Sequence, residues 1–451
     1  MGKIFGTDGI RCIVNTEPLT AETTLKISKT VGYLLKSKKS NNSRVIICKD
    51  TRLSGYLYEP LITAGFISMG MEVILVGPLP TPAVPHLMRT LRADIGVMIT
   101  ASHNTYEYNG IKFFNLDGFK ISSKLEKEIE NIVLNKKKYS KILNSNNKTG
   151  KAIRLEDASG RYSEFLKSTL NKNIKTKKLK IVLDCGNGAT YDIAPSIFWE
   201  LGHQVVSINN KPNGKNINYN CGAVNVGSLC KKVVEEKANI GFAFDGDGDR
   251  LIVVDDKGNE IDGDKIIALF AKYLIIEKKT ASKFPVVTTV MSNLGLENFL
   301  LKDLGIKLKR SPVGDINVIE EMKKNKSFLG GEQSGHIILS DFSKTGDGIL
   351  AALKITEIMS IIKKSSSSIF DLYDNLPQIK VNISYKKISE KTKKNIKDLN
   401  KKNSRDKKIR VLIRFSGTEP LIRLLVEGQD LKIVQQKAKN LELEIRNIIG
   451  Q

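Results

Sequence analysis

The sequence predicts an α/β protein: three similar mixed α/β domains, built on βαβ repeats, and a C-terminal α+β domain around a central cleft. Three observations predict this. A strand–helix–strand pattern occurs three times along the chain. Each of its helices stops at a glycine. Two of the units then continue in step, without a gap, into apolar strands followed by polar, glycine-rich loops.

The first unit opens with "RVIICKD" (44–50), a short β-branched run. A helix-period stretch follows and ends at Gly70, before the strand "EVILVG" (72–77). The second has "KIVLDCGNG" (180–188), a helix ending at Gly202, then "QVVSI" (204–208). The third has "FPVVTTV" (284–290), a helix ending at Gly305, then "IKLKR" (306–310). A glycine after a helix supplies the left-handed residue that a C-terminal cap needs. The order strand, helix, strand implies a right-handed crossover between parallel strands.

"ADIGVMITASHN" (93–104) then aligns with "ANIGFAFDGDGD" (238–249), placing Ser102 on Asp247. "KSFLGGEQSGH" (326–336) occupies the equivalent place in the third unit. Loops at strand ends are where α/β sheets place their chemistry. Three such loops imply three domains sharing one cleft.

The last part differs. "IRVLIRFSGTEPLIRLLVEG" (409–428) reads as two strands around a turn, and 431–449 as an amphipathic helix. The expected domains are 1–150, 151–257, 258–366 and 367–451. A hinge is expected at 135–151 and a polar linker at "KKSSSS" (363–368).

The bulk numbers agree with this division. At roughly 100–200 residues per domain, 451 residues allow about two to four domains. The net charge is +24, from 72 basic and 48 acidic residues. Nucleic acid is one reading of that charge. Its excess is mostly scattered lysine, however, and no stretch interleaves arginine with aromatics, so no nucleic-acid partner is expected. A positive field still attracts phosphorylated substrates. Five dispersed cysteines form no CxxC pair, as expected of reduced thiols in a cytoplasm. Neither a signal peptide nor a membrane span is expected.

Four loops carry candidate chemistry. In "DGDGDR" (245–250), Asp245, Asp247 and Asp249 alternate with glycines. Three converging carboxylates repel unless a divalent cation neutralises them, and hard oxygen ligands suit Mg²⁺ or Ca²⁺. An EF-hand does not fit, because Arg250 stands at its glycine position. The alternative is a solvated acidic turn.

In "TASHN" (100–104), Ser102 lies beside His103. No G-x-S-x-G elbow occurs, and an adjacent histidine on an extended segment points away from the serine. Ser102 is then a phosphate carrier facing the acidic loop, or a simple turn. In "GGEQSGH" (330–336), alternation on an extended loop would aim Glu332, Ser334 and His336 the same way, towards the hydroxyls of a sugar. The alternative is a glycine-rich turn. In "RFSGTEPLIR" (414–423), Arg414, Ser416, Gly417, Thr418 and Arg423 crowd donors around a turn, as a phosphate site does; the alternative is an ordinary hairpin.

Taken with "FGTDGIR" (5–11), "NGIKFF" (109–114) and "TVMSNLGLE" (289–297), these loops resemble the α-D-phosphohexomutase superfamily along essentially the whole chain. "FGTDGIR", "MSNLGLE" and Gln333 resemble the branch that acts on glucosamine phosphates. Members acting on mannose or glucose phosphates, the alternative, typically carry "GEMSGH".

The resemblance implies that Ser102 becomes phosphorylated and passes its phosphoryl group to glucosamine 6-phosphate. A hexosamine 1,6-bisphosphate, intermediate and activator, then returns the other phosphoryl group. Glucosamine 1-phosphate, a precursor of UDP-N-acetylglucosamine, leaves. It implies one Mg²⁺ per chain, held by Asp245, Asp247 and Asp249 and by Ser102 through its phosphate. Arg11, Lys112 and Arg250 would neutralise the transferred group, with Lys112 favoured as acid or base and His103 as a phosphate contact. Glu332, Ser334 and His336 would read the sugar, and Arg414, Ser416, Gly417, Thr418 and Arg423 its distal phosphate. A cytoplasmic monomer or homodimer with a small sugar-phosphate partner follows. Three positions depart from the usual pattern: Cys12 for glycine, Thr105 for proline and Ile316 for a basic residue. The first two alter backbone stiffness beside the loops, and the third removes a substrate contact.

Overall fold

The computed structural model describes residues 4–6, 8–36, 43–143, 148–174, 177–275, 284–386, 388–403, 409–416 and 420–450. Its strands form four sheets.

The first sheet contains β1 (Ile10–Ile13), β2 (Arg44–Lys49), β3 (Glu72–Pro78), β4 (Ile95–Ile99), β5 (Tyr108–Phe114) and β6 (Ala152–Arg154). The central strand β2 pairs in parallel with both β3 and β4, while β5 runs antiparallel to β4. The second sheet repeats this plan with β7 (Lys180–Asp184), β8 (Gln204–Ile208), β9 (Ile240–Phe244) and β10 (Leu251–Val254), and adds β11 (Glu260–Ile261) at its edge. The third has β12 (Val286–Thr289), β13 (Leu308–Ser311), β14 (Leu329–Gly331) and β15 (Ile337–Leu339), again parallel about β12 and antiparallel at the end. In all three units the chemical loop leaves the third strand and enters the antiparallel fourth. One topology therefore delivers Ser102, the acidic loop and the "GGEQSGH" loop from equivalent corners.

The hydrophobic pattern explains the packing. β4 and β9 are apolar at nearly every position and buried throughout, as strands covered on both faces must be. Along β2, Val45 and Ile47 enter one core with Val31 and Phe66. Ile46 and Cys48 enter another, which continues through Phe198, Phe242, Leu251 and Leu353. That second core joins the first three units. Gly70, Gly202 and Gly305 all have positive φ, as their cap positions require.

The fourth sheet is antiparallel: β16 (Gln378–Ser384), β17 (Ile409–Phe415) and β18 (Leu421–Gly428), with β18 central. The tail helix Leu431–Ile449 packs Val434, Ala438, Leu441 and Ile445 onto it; the Asp430 carboxylate caps its first turn through the amides of Lys432 and Ile433.

Two expectations about connecting segments are corrected. "KKSSSS" is not a free polar linker. Ser365 caps the short helix Ser366–Phe370, and buried Ser366 donates to the Asn239 carbonyl and bonds Asp256. Serine is small and can be satisfied by backbone, so a polar run can be buried. Within the expected hinge, Lys136–Leu143 is a helix; residues 144–147 lie outside those described.

His203 accepts the Leu179 amide at 3.3 Å, and its Nε2 is buried without a partner. Burial lowers its pKa to about 4, below the ordinary value near 6.5. The unfolded chain therefore takes up a proton that the folded chain excludes. This contribution is present above pH 6.5 and is lost as pH falls toward 4. Urea midpoints at pH 7 and pH 5 should differ more for the native chain than for His203→Gln.

Candidate functional site

Ser102 sits in the left-handed region with φ +51°, although it is not glycine. A non-glycine residue there is strained and persists only where its surroundings hold it. Arg52 does the holding. Its fully buried guanidinium donates to the carbonyls of Ser102 (3.0 Å), Asn104 (2.7 Å), Thr105 and Tyr108 (3.0 Å). Its Nε pairs with Asp50 at 2.9 Å. From the second unit, Asn218 donates to the same Ser102 and Asn104 carbonyls at 2.8 and 2.9 Å. Thr105 thus needs no proline ring for stiffness, because its carbonyl is tethered. Sequence reasoning missed both Arg52 and Asn218. Arg52 offered only a polar residue shortly after an apolar strand, which many turns share, and Asn218 lies in an irregular segment with no local signal.

The Ser102 hydroxyl donates to Asp245 Oδ2 at 2.7 Å. Ligand oxygens of Asp245, Asp247 and Asp249 all lie within 4.8 Å of one another, and all three residues are buried. Burial, then Asp249 and Asp247, pushes the Asp245 carboxyl well above the ordinary range. Asp247 goes the other way. Burial would raise it too, but Lys112 and the Thr81 hydroxyl, which donates to it at 2.6 Å, hold it low. Asp247 Oδ1 and Asp249 Oδ1 are buried with no hydrogen-bond partner. Three hard carboxylates with orphaned oxygens beside a serine hydroxyl fit a divalent cation such as Mg²⁺.

Lys112 on β5 is 1% exposed. Its ammonium lies 3.0 Å from Asp247, 3.2 Å from Asp8 and 3.5 Å from Asp249. Burial alone would lower its pKa, yet Asp247, Asp8 and Asp249 raise it well above normal, so it stays charged. Arg11 pairs with Asp8 at 3.0 Å. Arg250 donates its amide to Asp245 Oδ1 at 3.2 Å, and its guanidinium lies 3.9 Å from Asp249.

His103 corrects an expectation. Because Ser102 is left-handed rather than extended, the His103 ring does not point away; its Nδ1 lies 3.4 Å from Ser102 Oγ. Burial, Arg250 and Arg11 lower its pKa to about 3, so it is a weak base.

The "GGEQSGH" loop is a tight turn, not an extended segment. Glu332 donates its amide to the His336 carbonyl at 2.9 Å, and Gly335 has φ +90°. A Cβ on Gly335 would meet the Leu251 carbonyl at 2.2 Å, so only glycine fits. The expected extended backbone is therefore replaced by a turn, which still carries Glu332, Ser334 and His336 on one short loop. Ser334 is exposed, whereas Glu332 and His336 are buried. Glu332 Oε1 accepts the Gly314 amide at 3.2 Å. His336 Nε2 accepts the Gly346 amide at 3.2 Å and lies 4.0 Å from Asp249. A backbone bridge between Arg250 and His336 joins the second and third loops.

Gln333 donates to Asp262 at 3.0 Å, and its oxygen accepts Lys380 Nζ from the fourth unit, also at 3.0 Å. Arg414 and Arg423 stand directly opposite on β17 and β18. Like charges at such a pair destabilise each other unless an anion lies between them. Burial, then Arg423, lowers the Arg414 pKa. Ser416 is joined to Leu421 by backbone; Gly417 and Thr418 lie outside the described residues. Cys12 bonds the carbonyls of Ile13 and Thr16, and the Ile316 amide caps the Asp315 carboxylate at 2.9 Å.

Comparison with known proteins matches this arrangement. The description "Phosphoglucomutase/phosphomannomutase, alpha/beta/alpha domain" fits residues 2–140 as domain I, 160–258 as domain II and 262–378 as domain III, with the C-terminal domain at 379–443. The chain belongs to this phosphohexomutase family and is an enzyme of the isomerase class. Within the family it is 47% identical to the phosphoglucosamine mutase of Parvibaculum lavamentivorans, over 99% of each chain. It superposes on a phosphoglucomutase/phosphomannomutase family protein of Burkholderia thailandensis with TM-score 0.82 at 22% identity, covering 99% of this chain and 97% of that one. It also superposes on the Aspergillus fumigatus N-acetylphosphoglucosamine mutase, solved with GlcNAc-6P and magnesium, with TM-score 0.64 at 17% identity, covering 99% and 96%.

Arg52→Lys keeps a charge beside Asp50 but loses the fork that grips four carbonyls. Steady-state kinetics should show kcat reduced about 100-fold, as small misplacements of reacting groups do, with circular dichroism unchanged. Gln333→Met and Lys380→Ala should each raise KM about two- to tenfold, in line with one lost hydrogen bond, and leave kcat nearly unaltered.

Proposed function

We propose that the chain interconverts glucosamine 6-phosphate and glucosamine 1-phosphate through a phosphorylated Ser102. The observation that carries this is the Ser102 hydroxyl at 2.7 Å from Asp245, inside a cluster of three buried carboxylates. The relatives named phosphoglucosamine mutase, similar over the full chain, support the amino-sugar substrate.

Phosphoryl transfer requires positioning and charge stabilisation more than covalent chemistry. Mg²⁺ held by Asp245, Asp247 and Asp249 would supply positive charge to a phosphoserine oxygen. Arg52 and Asn218 hold Ser102 above those carboxylates. As the sugar hydroxyl oxygen bonds phosphorus, the bond from phosphorus to Ser102 Oγ breaks. The proton lost by the sugar hydroxyl and the one gained by Oγ balance across the step. Lys112, Arg11 and Arg250 present cations to the group in transit. Lys112 acts chiefly as a fixed charge, since its neighbours keep it protonated.

Glu332, Ser334 and His336 line the sugar side. Arg414 and Arg423, with Ser416, Gly417 and Thr418, take the distal phosphate. A hexosamine 1,6-bisphosphate is the intermediate and the activator. Four domains, acting in a cytoplasmic monomer or homodimer, complete the reading; because β6 pairs with β3 and β11 with β10, the first boundary falls after Arg154 rather than at 150, and the second after Ile261 rather than at 257. No helix among the described residues is long and apolar enough to cross a membrane.

Intact mass after incubation with a hexose 1,6-bisphosphate tests the carrier role. One added phosphate is expected, absent in Ser102→Ala, which should retain its fold and lose turnover. Faster turnover of mannose 6-phosphate than of glucosamine 6-phosphate would overturn the substrate.

A further inference from the structure

Outside the residues already given roles, one cation joins two units at the cleft. Lys120 Nζ pairs with Asp8 of the first unit and with Asp315 of the third. Its side chain is 8% exposed and that of Asp315 is 9% exposed. Among the described residues this is the one ion pair between those two units. The hairpin after β5 holds Lys120 in place: the Asn115 amide donates to Phe119, and Phe114 bridges Lys120. The neighbouring Phe119 ring lies beneath Lys323 and Lys344, both of the third unit.

Each end of the pair reaches the chemistry. Asp8 also pairs with Arg11 and with Lys112, which contacts Asp247 and Asp249. Asp315 opens the helix Asp315–Asn325, and the preceding Gly314 amide is bound by Glu332 of the sugar loop. A continuous path of charge and backbone therefore runs from the sugar side to the phosphoryl side, through Lys120. Without this cation, the Asp8 and Asp315 carboxylates would face each other, and like charges repel.

Resting on the mutase reading above, we propose that Lys120 is a positioning residue that holds the cleft-facing edges of the first and third units, already joined through a shared core, tight over the bisphosphate intermediate. A mutase of this kind has a particular need. Its intermediate must turn around within the cleft, yet must not leave before the second transfer. A latch between the unit bearing Ser102 and the unit bearing the sugar loop meets that need, because it acts on escape rather than on the bonds that form and break.

The test compares Lys120→Met, Lys120→Arg and Asp315→Asn with the native enzyme. Release of glucosamine 1,6-bisphosphate per glucosamine 1-phosphate formed is measured by quenched-flow and mass spectrometry. Release should rise about tenfold in Lys120→Met and Asp315→Asn, as loss of a largely buried charge pair raises dissociation rates. Added bisphosphate should restore their turnover, and Lys120→Arg should behave as native. Asp315→Asn preserves shape and the cap to Ile316, so it decides the matter should Lys120→Met unfold. Slower turnover with unchanged release in Asp315→Asn would overturn the latch. An inactive native enzyme would instead overturn the mutase reading.

Discussion

The structure depends on how it tolerates three carboxylates buried within 4.8 Å of one another. Burial and mutual repulsion both oppose ionisation there, as the raised Asp245 carboxyl records. The protein answers with two cations. Lys112 comes from β5 of the first unit, and Arg250 from the end of the acidic loop itself. The remaining orphaned oxygens on Asp247 and Asp249 suit a divalent cation. Assembly of the site and assembly of the first two units are thus one event.

Close backbone approach makes that event possible. Gly246 lies so near the Ser102 loop that a Cβ would meet the Ser102 carbonyl at 2.6 Å and Asn218 Nδ2 at 2.7 Å. The glycines of "DGDGDR" therefore do more than bend the loop. Gly246 lets the neighbouring loop, with its strained serine, lie against the carboxylates, and Gly248 lets the loop pack on Thr190 and Pro80. Strain at Ser102 is offset by the bonds from Arg52 and Asn218, which grip carbonyls rather than side chains. Gripping the backbone fixes the loop without engaging the hydroxyl, which points instead to Asp245.

Much of the plan was legible in the chain. The repeated strand–helix–strand units, their glycine stops and the match of Ser102 to Asp247 all depend on local periodicity, which sequence records directly. The acidic loop was legible as a candidate cation site because three carboxylates at alternate positions follow an apolar strand, although a solvated turn fitted the same letters until their burial was seen. Other parts were not. Arg52, Asn218, Asp8 and Lys120 are ordinary polar residues in sequence, and each acquires its role from a partner 50 or more positions away. The backbone carrying Glu332, Ser334 and His336 was expected to be extended, whereas Gly335 folds it into a turn, which alternation in sequence does not reveal. His103 was misjudged for the matching reason at Ser102.

By itself, then, the sequence determined which elements form, where the loops fall and what chemical groups they carry. Those properties follow from side-chain period, glycine and proline stereochemistry, and charge. Only the tertiary structure decided which groups meet. That Lys112 and Lys120 lie in buried ion pairs, rather than solvated at the surface, turns on burial and on contact distances. Electrostatic strength changes steeply with both, and neither is encoded in any local stretch of chain.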